Sequence, residues 1–316
     1  MNYLGIDLGG TNIAAAVLDA DYRIIARAQR KTACPRPAEQ IMDDMCAVAR
    51  EALAAAHLTA EDVPYIGVGC PGMVLTDTGV IVYANNLGFR DVHMGEYMEQ
   101  RLGRPIVIDN DANAAAYGEY KAGAAKGMKD FIAVTLGTGV GGGVIVDGKL
   151  LRGCNGAGAE LGHMVTHAGG RTCTCGRRGC LEAYASATGL IRTTKEIMQQ
   201  HPESAMWAAV GGDIDRVSGR TAFDAMRAGD AAGKAAVDAY IEALAVGVTN
   251  YINIFQPDMI ALAGGISREG DTLIRPLQAL VDKEDYARFS DKRTKLVAAT
   301  LDNDAGVIGA ALLGVR

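Results

Sequence analysis

The chain has 316 residues, 49% hydrophobic and 5% aromatic, with a formal net charge of -6. This is enough apolar material for a large buried core, and the length suits two lobes of ordinary domain size. The acidic balance, with no Lys/Arg block of useful length, argues against a nucleic-acid partner, and no apolar run is long enough to suggest a membrane partner.

Met1 leads directly into a strand with no signal-peptide pattern, so the expected setting is the cytoplasm. That strand, Tyr3-Leu4-Gly5-Ile6, runs into the turn Asp7-Leu8-Gly9-Gly10-Thr11-Asn12. A second strand from Ile13 to Leu18, a turn at Asp19-Ala20-Asp21 and a third strand from Tyr22 to Arg27 follow. A glycine turn between two strands presents backbone N–H groups to an anion. Pro37 to Leu58 is predicted as a helix, with Ile41, Met45, Val48 and Ala52 at helical spacing and Pro37 suited to its first turn. Val63 to Val68 reads as a buried strand before the turn Cys70-Pro71-Gly72, Val80 to Tyr83 as a short strand before Asn85-Asn86, and Pro105 to Ile108 as another strand.

Asp109-Asn110-Asp111-Ala112-Asn113 then opens an alanine-rich helix that runs to Gly123. Asp111 thus falls at a strand-to-helix junction, where side chains of α/β sheets meet ligand. The alternative for Asp111 is an Asx helix cap, and in either role the helix N-terminus favours an ionised carboxylate.

The opening pattern is then repeated. Phe131 to Leu136 reads as a strand, Gly137-Thr138-Gly139-Val140-Gly141-Gly142-Gly143 as a glycine turn, Val144-Ile145-Val146 as a strand, Asp147-Gly148 as a hairpin turn and Lys149-Leu150-Leu151 as a third strand. Gly137, Gly139 and Gly142 fit the G-x-G-x-x-G dinucleotide fingerprint, but that motif needs a helix after the glycines, and the hairpin here excludes it. Plain hairpins are the alternative for either copy alone; two anion-holding turns in one chain can grip opposite sides of a polyphosphate.

Of the seven cysteines, Cys34, Cys46, Cys70 and Cys154 are scattered and are expected to be small, reduced, buried hydrophobes. Cys173, Cys175 and Cys180 lie together a little beyond His163. One imidazole and three thiolates suit a closed tetrahedral zinc site, structural rather than catalytic. Arg177 and Arg178 either help hold the thiolates ionised or are solvated charges. Glu182 to Gln200 is predicted helical, whereas Gln200 to Gly219, with Trp207, carries no functional signal. Thr221 with Asp224 predicts a capping box on a short helix, and Ala231 to Phe255 a long one. Met259 to Ala263 is a strand ending in a third glycine turn, Gly264-Gly265-Ile266-Ser267, either a resting place for a nucleotide's ribose or base or a plain strand–helix connection. After a strand from Leu296 to Thr300, Asp302-Asn303-Asp304 is expected to cap a final helix, Ala305 to Leu313.

These residues resemble the ROK family of sugar kinases and sugar-responsive repressors, and most of all its bacterial glucose kinases. The resemblance is carried by Asp7-Leu8-Gly9-Gly10-Thr11, Asn110-Asp111-Ala112-Asn113, the glycine run from Gly137, Glu160-Leu161-Gly162-His163, Cys173-x-Cys175-Gly176-x-x-Gly179-Cys180-x-Glu182 and Ala263-Gly264-Gly265. It implies the actin-like ATPase fold, a duplicated ribonuclease H-like α/β architecture of two lobes with a cleft between them. The expected division is a small lobe of residues 1–110 plus 303–316 and a large lobe of 111–302 with a zinc-binding loop at 163–180.

The resemblance further implies phosphoryl transfer from MgATP to the 6-hydroxyl of glucose. N-acetylglucosamine, N-acetylmannosamine, mannose, allose and fructose stand as alternative sugars. Asp111 matches the family's general base, and Asn86, Asn110, Glu160, His163 and Glu182 would hold the remaining sugar hydroxyls, His163 also serving the zinc. Asp7 would bear on the magnesium through water. Gly9, Gly10, Thr11, Asn12, Gly137, Thr138 and Gly139 would line the phosphates, with Gly264 and Gly265 near the adenosine. Asn12 stands where the family often has Lys, which shifts charge stabilisation toward the metal and the backbone N–H groups. The family's repressors carry a helix-turn-helix ahead of the first phosphate turn, and the few residues before Asp7 leave no room for one. Catalysis is therefore expected over non-catalytic sugar sensing, in a homo-oligomer, dimer or tetramer.

Overall fold

In the computed structural model, which describes residues 1–315, the repeat in the sequence becomes a repeat of sheet topology. Arg316, the last position of the expected small lobe, lies outside the described residues. The first part of the chain forms β1 (Tyr3–Leu8), β2 (Asn12–Leu18), β3 (Ile24–Lys31), α1 (Ala38–Ala55), β4 (Ile66–Cys70), β5 (Met73–Leu75), β6 (Val80–Ala84), β7 (Phe89–Val92), α2 (Met94–Leu102), β8 (Ile106–Asn110) and α3 (Asp111–Ala122). Then come β9 (Phe131–Leu136), β10 (Val140–Val146), β11 (Lys149–Leu150), α4 (Glu182–Ala185), α5 (Ala187–Gln200), α6 (Met206–Ala209), α7 (Thr221–Arg227), α8 (Ala231–Phe255), β12 (Met259–Ala263), α9 (Asp271–Glu284), β13 (Lys295–Ala298) and α10 (Ala305–Leu312).

One five-stranded sheet has the order β3-β2-β1-β4-β8 and another the order β11-β10-β9-β12-β13, with a three-stranded sheet β5-β6-β7 beside them. In the first, β1 to β3 form an antiparallel meander, and β4 and β8 add in parallel. In the second, β10 and β11 are antiparallel and β12 and β13 parallel. All five residues of β4 are buried, as a parallel strand covered on both faces requires, whereas β3 at the edge alternates half-buried and exposed positions.

The chain divides into two compact units. The first comprises Met1–Ala133, Gly143–Ala159 and the chain from Ala299 onward; the second comprises Val134–Gly142 and Glu160–Ala298. Helix α3 belongs to the first unit because it packs on α10, whereas the sequence-based division placed it at the start of the large lobe. The crossing depends on glycine: a Cβ at Gly118 would strike the Ala305 carbonyl, and one at Gly309 the Ala114 carbonyl. The buried Glu119 carboxylate fixes the same crossing by accepting from Ala124 N, Thr300 N and Leu301 N at 2.8, 2.9 and 2.7 Å and from Thr300 Oγ1 at 3.1 Å.

Local details depart from the sequence reading where a side chain finds a partner other than the expected one. Pro37 precedes α1 with extended ψ rather than opening its first turn. The helix expected from Glu182 to Gln200 breaks at Ser186, whose backbone is extended and whose hydroxyl accepts from Gly189 N to cap α5. The Thr221–Asp224 capping box does not form, because Thr221 is already helical: its hydroxyl accepts from Ser218 N at 3.0 Å, and Asp224 pairs with Arg227. Asp304 likewise does not cap α10; Arg27 donates to its two oxygens at 2.5 and 2.7 Å.

Candidate active site

Candidate residues fall on both units, and each group is built by its own elements. In the first unit Asp7 lies near the end of β1 and Asp111 is the first residue of α3. β1 and β4 pair in parallel with Asp7 opposite Gly69, and Gly69 has no side chain to separate the two acids. A Cβ there would stand 3.7 Å from Asp111 Cα and 3.8 Å from Asp7 Oδ1. Burial, with the Asp111 charge adding to it, pushes the Asp7 carboxyl up to about 6.

Asn110, not Asp111, caps α3: its Oδ1 accepts from Ala112 N at 2.8 Å and Asn113 N at 3.2 Å, and its Nδ2 donates to the Gly72 carbonyl at 3.1 Å. This leaves the Asp111 carboxylate free of the capping role, although it accepts from Ala112 N at 2.9 Å. Burial raises the Asp111 pKa above the ordinary carboxylate value, outweighing the lowering by the Ala112 amide and the Asn110 side chain. The helix start therefore does favour the charged form, as expected, but desolvation is the larger effect.

A strut beneath this junction was not legible in the sequence. Asp109, 2% exposed, accepts from Asn110 N at 2.8 Å, from Asn113 Nδ2 at 2.9 Å and from Arg152 Nε at 2.6 Å. Strand end, first helical turn and the segment after β11 are thus tied to one carboxylate. Asn86, in the turn after β6, is exposed, with its Nδ2 3.9 Å from where a Gly10 Cβ would be.

The two glycine turns are closed in the same way. Gly9 N donates to the Asn12 carbonyl at 2.9 Å, and Gly137 N donates to the Gly139 carbonyl at 3.0 Å. Both leading glycines therefore shape their turns with the N–H that the sequence reading offered to phosphate. Gly10 and Thr11 in one turn and Thr138 in the other are more open, with Gly10, Thr11 and Thr138 exposed. Asn12, the first residue of β2, is exposed as well.

In the second unit, Glu160, His163 and Glu182 lie around the cysteine loop. Tyr251 donates to the Leu161 carbonyl at 2.7 Å and so anchors the short turn Leu161–His163; the Glu160 side chain before it is exposed. Glu182, first residue of α4, accepts from Val140 N at 3.0 Å with one oxygen and from Thr174 Oγ1 at 3.1 Å with the other. Gly139 must lack a side chain because its Cβ would meet that carboxylate. The ligand atoms of His163, Cys173, Cys175 and Cys180 all lie within 4.8 Å of one another. His163 Nδ1 is 3.6 Å from Cys173 Sγ, and Cys175 Sγ is 3.7 Å from Cys180 Sγ. Metal–sulfur bonds of about 2.3 Å in a tetrahedron require sulfur–sulfur edges of about 3.8 Å, so the donor set fits such an ion. Arg177 and Arg178 donate to the carbonyls of His163, Gly169 and Gly170, and so brace the loop.

A cavity of about 640 Å³ in the second unit joins the glycine turn to the third one. Gly137, Thr138 and Gly265 line it, with Arg220, Arg227 and Glu269 among the others. Gly264, at φ +89°, is pressed against the Leu136 backbone, while Gly265 faces open space. Sequence reading found the glycines but not the charged residues opposite them.

Residues 3–316 match the ROK family. The chain is 37% identical over 315 residues to a glucokinase from Halalkalibacterium halodurans, covering 98% of this chain and 94% of that one. It is 36% identical over 313 residues to a glucokinase from Thermotoga maritima, covering 98% and 96%. A solved ROK family glucokinase from Streptomyces griseus, in complex with glucose and AMPPNP, superposes with a TM-score of 0.78 at 35% identity, covering 99% of both chains. The repeated sheets are those of the actin-like ATPase fold, and with a family match over residues 3–316 and beyond a third of its residues shared with such relatives, this protein belongs to the ROK family.

Proposed function

We infer that the chain is an ATP-dependent glucokinase that phosphorylates the 6-hydroxyl of glucose. The observation that carries the reading is the near full-length likeness to glucokinases in a chain that keeps a half-buried carboxylate at the start of α3. In this reading Asp111 accepts the proton of the sugar hydroxyl as that oxygen bonds to the γ-phosphorus, and ADP leaves with the electrons of the broken anhydride bond. Gly10, Thr11, Thr138 and Gly139 hold the phosphates, while Gly9 and Gly137 set the turn shapes. Asp7 is the residue for magnesium, which neutralises phosphate charge when bound. Asn86, Asn110, Glu160, His163 and Glu182 hold the other sugar hydroxyls.

Two of these sugar ligands are constrained by bonds already described. Asn110 spends its Oδ1 on capping α3 and one amide hydrogen on the Gly72 carbonyl. His163 offers Nδ1 to the cysteine loop, which leaves Nε2 for a sugar oxygen. The metal of that loop is zinc in this reading: four protein ligands close the coordination shell, so it orients His163 and activates no water. The two lobes and the dimer or tetramer expected from the sequence belong to the same proposal.

The test is glucose-dependent ATP turnover, with kcat/KM compared across glucose, mannose, allose, fructose, N-acetylglucosamine and N-acetylmannosamine. Glucose should rank first. An N-acetyl sugar far ahead of glucose would overturn the substrate and keep the mechanism; sugar binding without turnover would favour a regulator.

A further inference from the structure

The cavity beside the second glycine turn holds a charged device that the glycine motifs do not explain. Arg227 on α7 donates one Nη to Asp224 and the other to Glu269, which lies in the turn after β12. Asp224, Arg227 and Glu269 line the same cavity as Gly137, Thr138 and Gly265. The Glu269 side chain is 14% exposed and Asp224's 62%, so Glu269 is the recessed member. Only its Oε2 is bound to Arg227; Oε1 has no hydrogen bond recorded within the protein among the described residues. A recessed, cavity-lining carboxylate with one oxygen held by Arg227 keeps its other oxygen open to a donor on a ligand.

The geometry points to Glu269 as a nucleoside-reading residue that accepts a hydrogen bond from the bound nucleotide, with Arg227 as the positioning residue that fixes its rotamer. This rests on the ATP-dependent reading above. A phosphate chain gripped at Thr138 leaves its nucleoside to fill the rest of the cavity. The groups of ATP that can donate to a carboxylate are the ribose hydroxyls and the adenine 6-amino group, and a site built to accept from one of them rejects an analogue lacking it. Lying outside the Gly264-Gly265 motif, Glu269 is therefore the residue that sets donor selectivity.

The experiment measures equilibrium binding of ADP, 2′-deoxyADP and inosine diphosphate by calorimetry, without sugar, to the wild type, Glu269→Gln and Arg227→Lys. Steady-state KM values for the matching triphosphates and for glucose complete it. The wild type should prefer ADP at least about tenfold over one of the two analogues, and which one identifies ribose or base as the donor. Glu269→Gln should erase most of that preference and raise KM for ATP while leaving KM for glucose unchanged within about twofold; Arg227→Lys should do the same more weakly. An unchanged preference in Glu269→Gln, or no preference in the wild type, overturns the proposal. Because binding is read without turnover, an enzyme inactive on every sugar but selective for ADP refutes the glucokinase reading and leaves this one standing. Melting curves guard against misfolding, and a folded Glu269→Gln that fails on glucose as much as on ATP also counts against the proposal.

Discussion

In the proposed mechanism the pH dependence belongs to Asp111 and Asp7. A general base works only when deprotonated, and burial raises the Asp111 pKa, so kcat/KM should fall on the acid side at a pH above the ordinary carboxylate range. Since Asp7 is pushed up to about 6 beside it, the acid limb should be broad, belonging to the pair rather than to one residue. A pH–rate profile flat down to the ordinary Asp value would contradict this. Asp111→Asn should lower kcat by about 10²–10⁴-fold, with melting temperature and metal content retained. The strand-to-helix junction that carries Asp111 could be placed from sequence because a strand, an Asx cluster and an alanine-rich helix are consecutive. The Arg227–Glu269 pair could not, because its members are 42 residues apart and neither sits in a local pattern. The same holds for Asp109 and Arg152, separated by 43 residues.

Among the elements, the strut Arg152–Asp109–Asn113 and the glycine crossing of α3 with α10 carry the stiffness of the first unit. Arg152→Met leaves the buried Asp109 carboxylate short of its charged donor and should cost about 1–3 kcal/mol in denaturant unfolding. It should also lower kcat more than it raises KM for ATP, because it loosens the start of α3 and no phosphate turn. Gly309→Ala puts a methyl into the Ala114 carbonyl and should destabilise by about 1–3 kcal/mol. The cysteine loop should hold one zinc per chain by atomic emission; Cys175→Ser should deplete it and raise the glucose KM about tenfold through His163, with the ATP KM little changed. The strand β12 and the helix α8 matched from end to end, whereas β4 begins three residues later than the expected Val63 and runs on to Cys70. Other helix ends were less legible: Ser186, Thr221 and Asp304 each had a capping residue type, and which partner each side chain found was decided by tertiary neighbours.

For the whole molecule, the duplicated sheet plan was readable because both copies use the same succession of strand, glycine turn, strand, turn and strand. The assignment of residues to units was not, since it depends on where helices pack rather than on the order in which they occur. Neither unit is a continuous stretch of sequence. Trp207, the only tryptophan, lies in the second unit, so its fluorescence and the far-ultraviolet dichroism of the whole chain report on different populations. Their thermal transitions should coincide if the interleaved chain unfolds cooperatively, and separate midpoints would show otherwise. The placement of α10 has a further consequence for biosynthesis. Gly5 of β1 and Gly67 of β4 are bare so that α10 can lie directly on them. Strands that leave the ribosome early must therefore stay uncovered until the far end of the sequence has been made, and chaperone dependence during translation should be concentrated on that waiting surface.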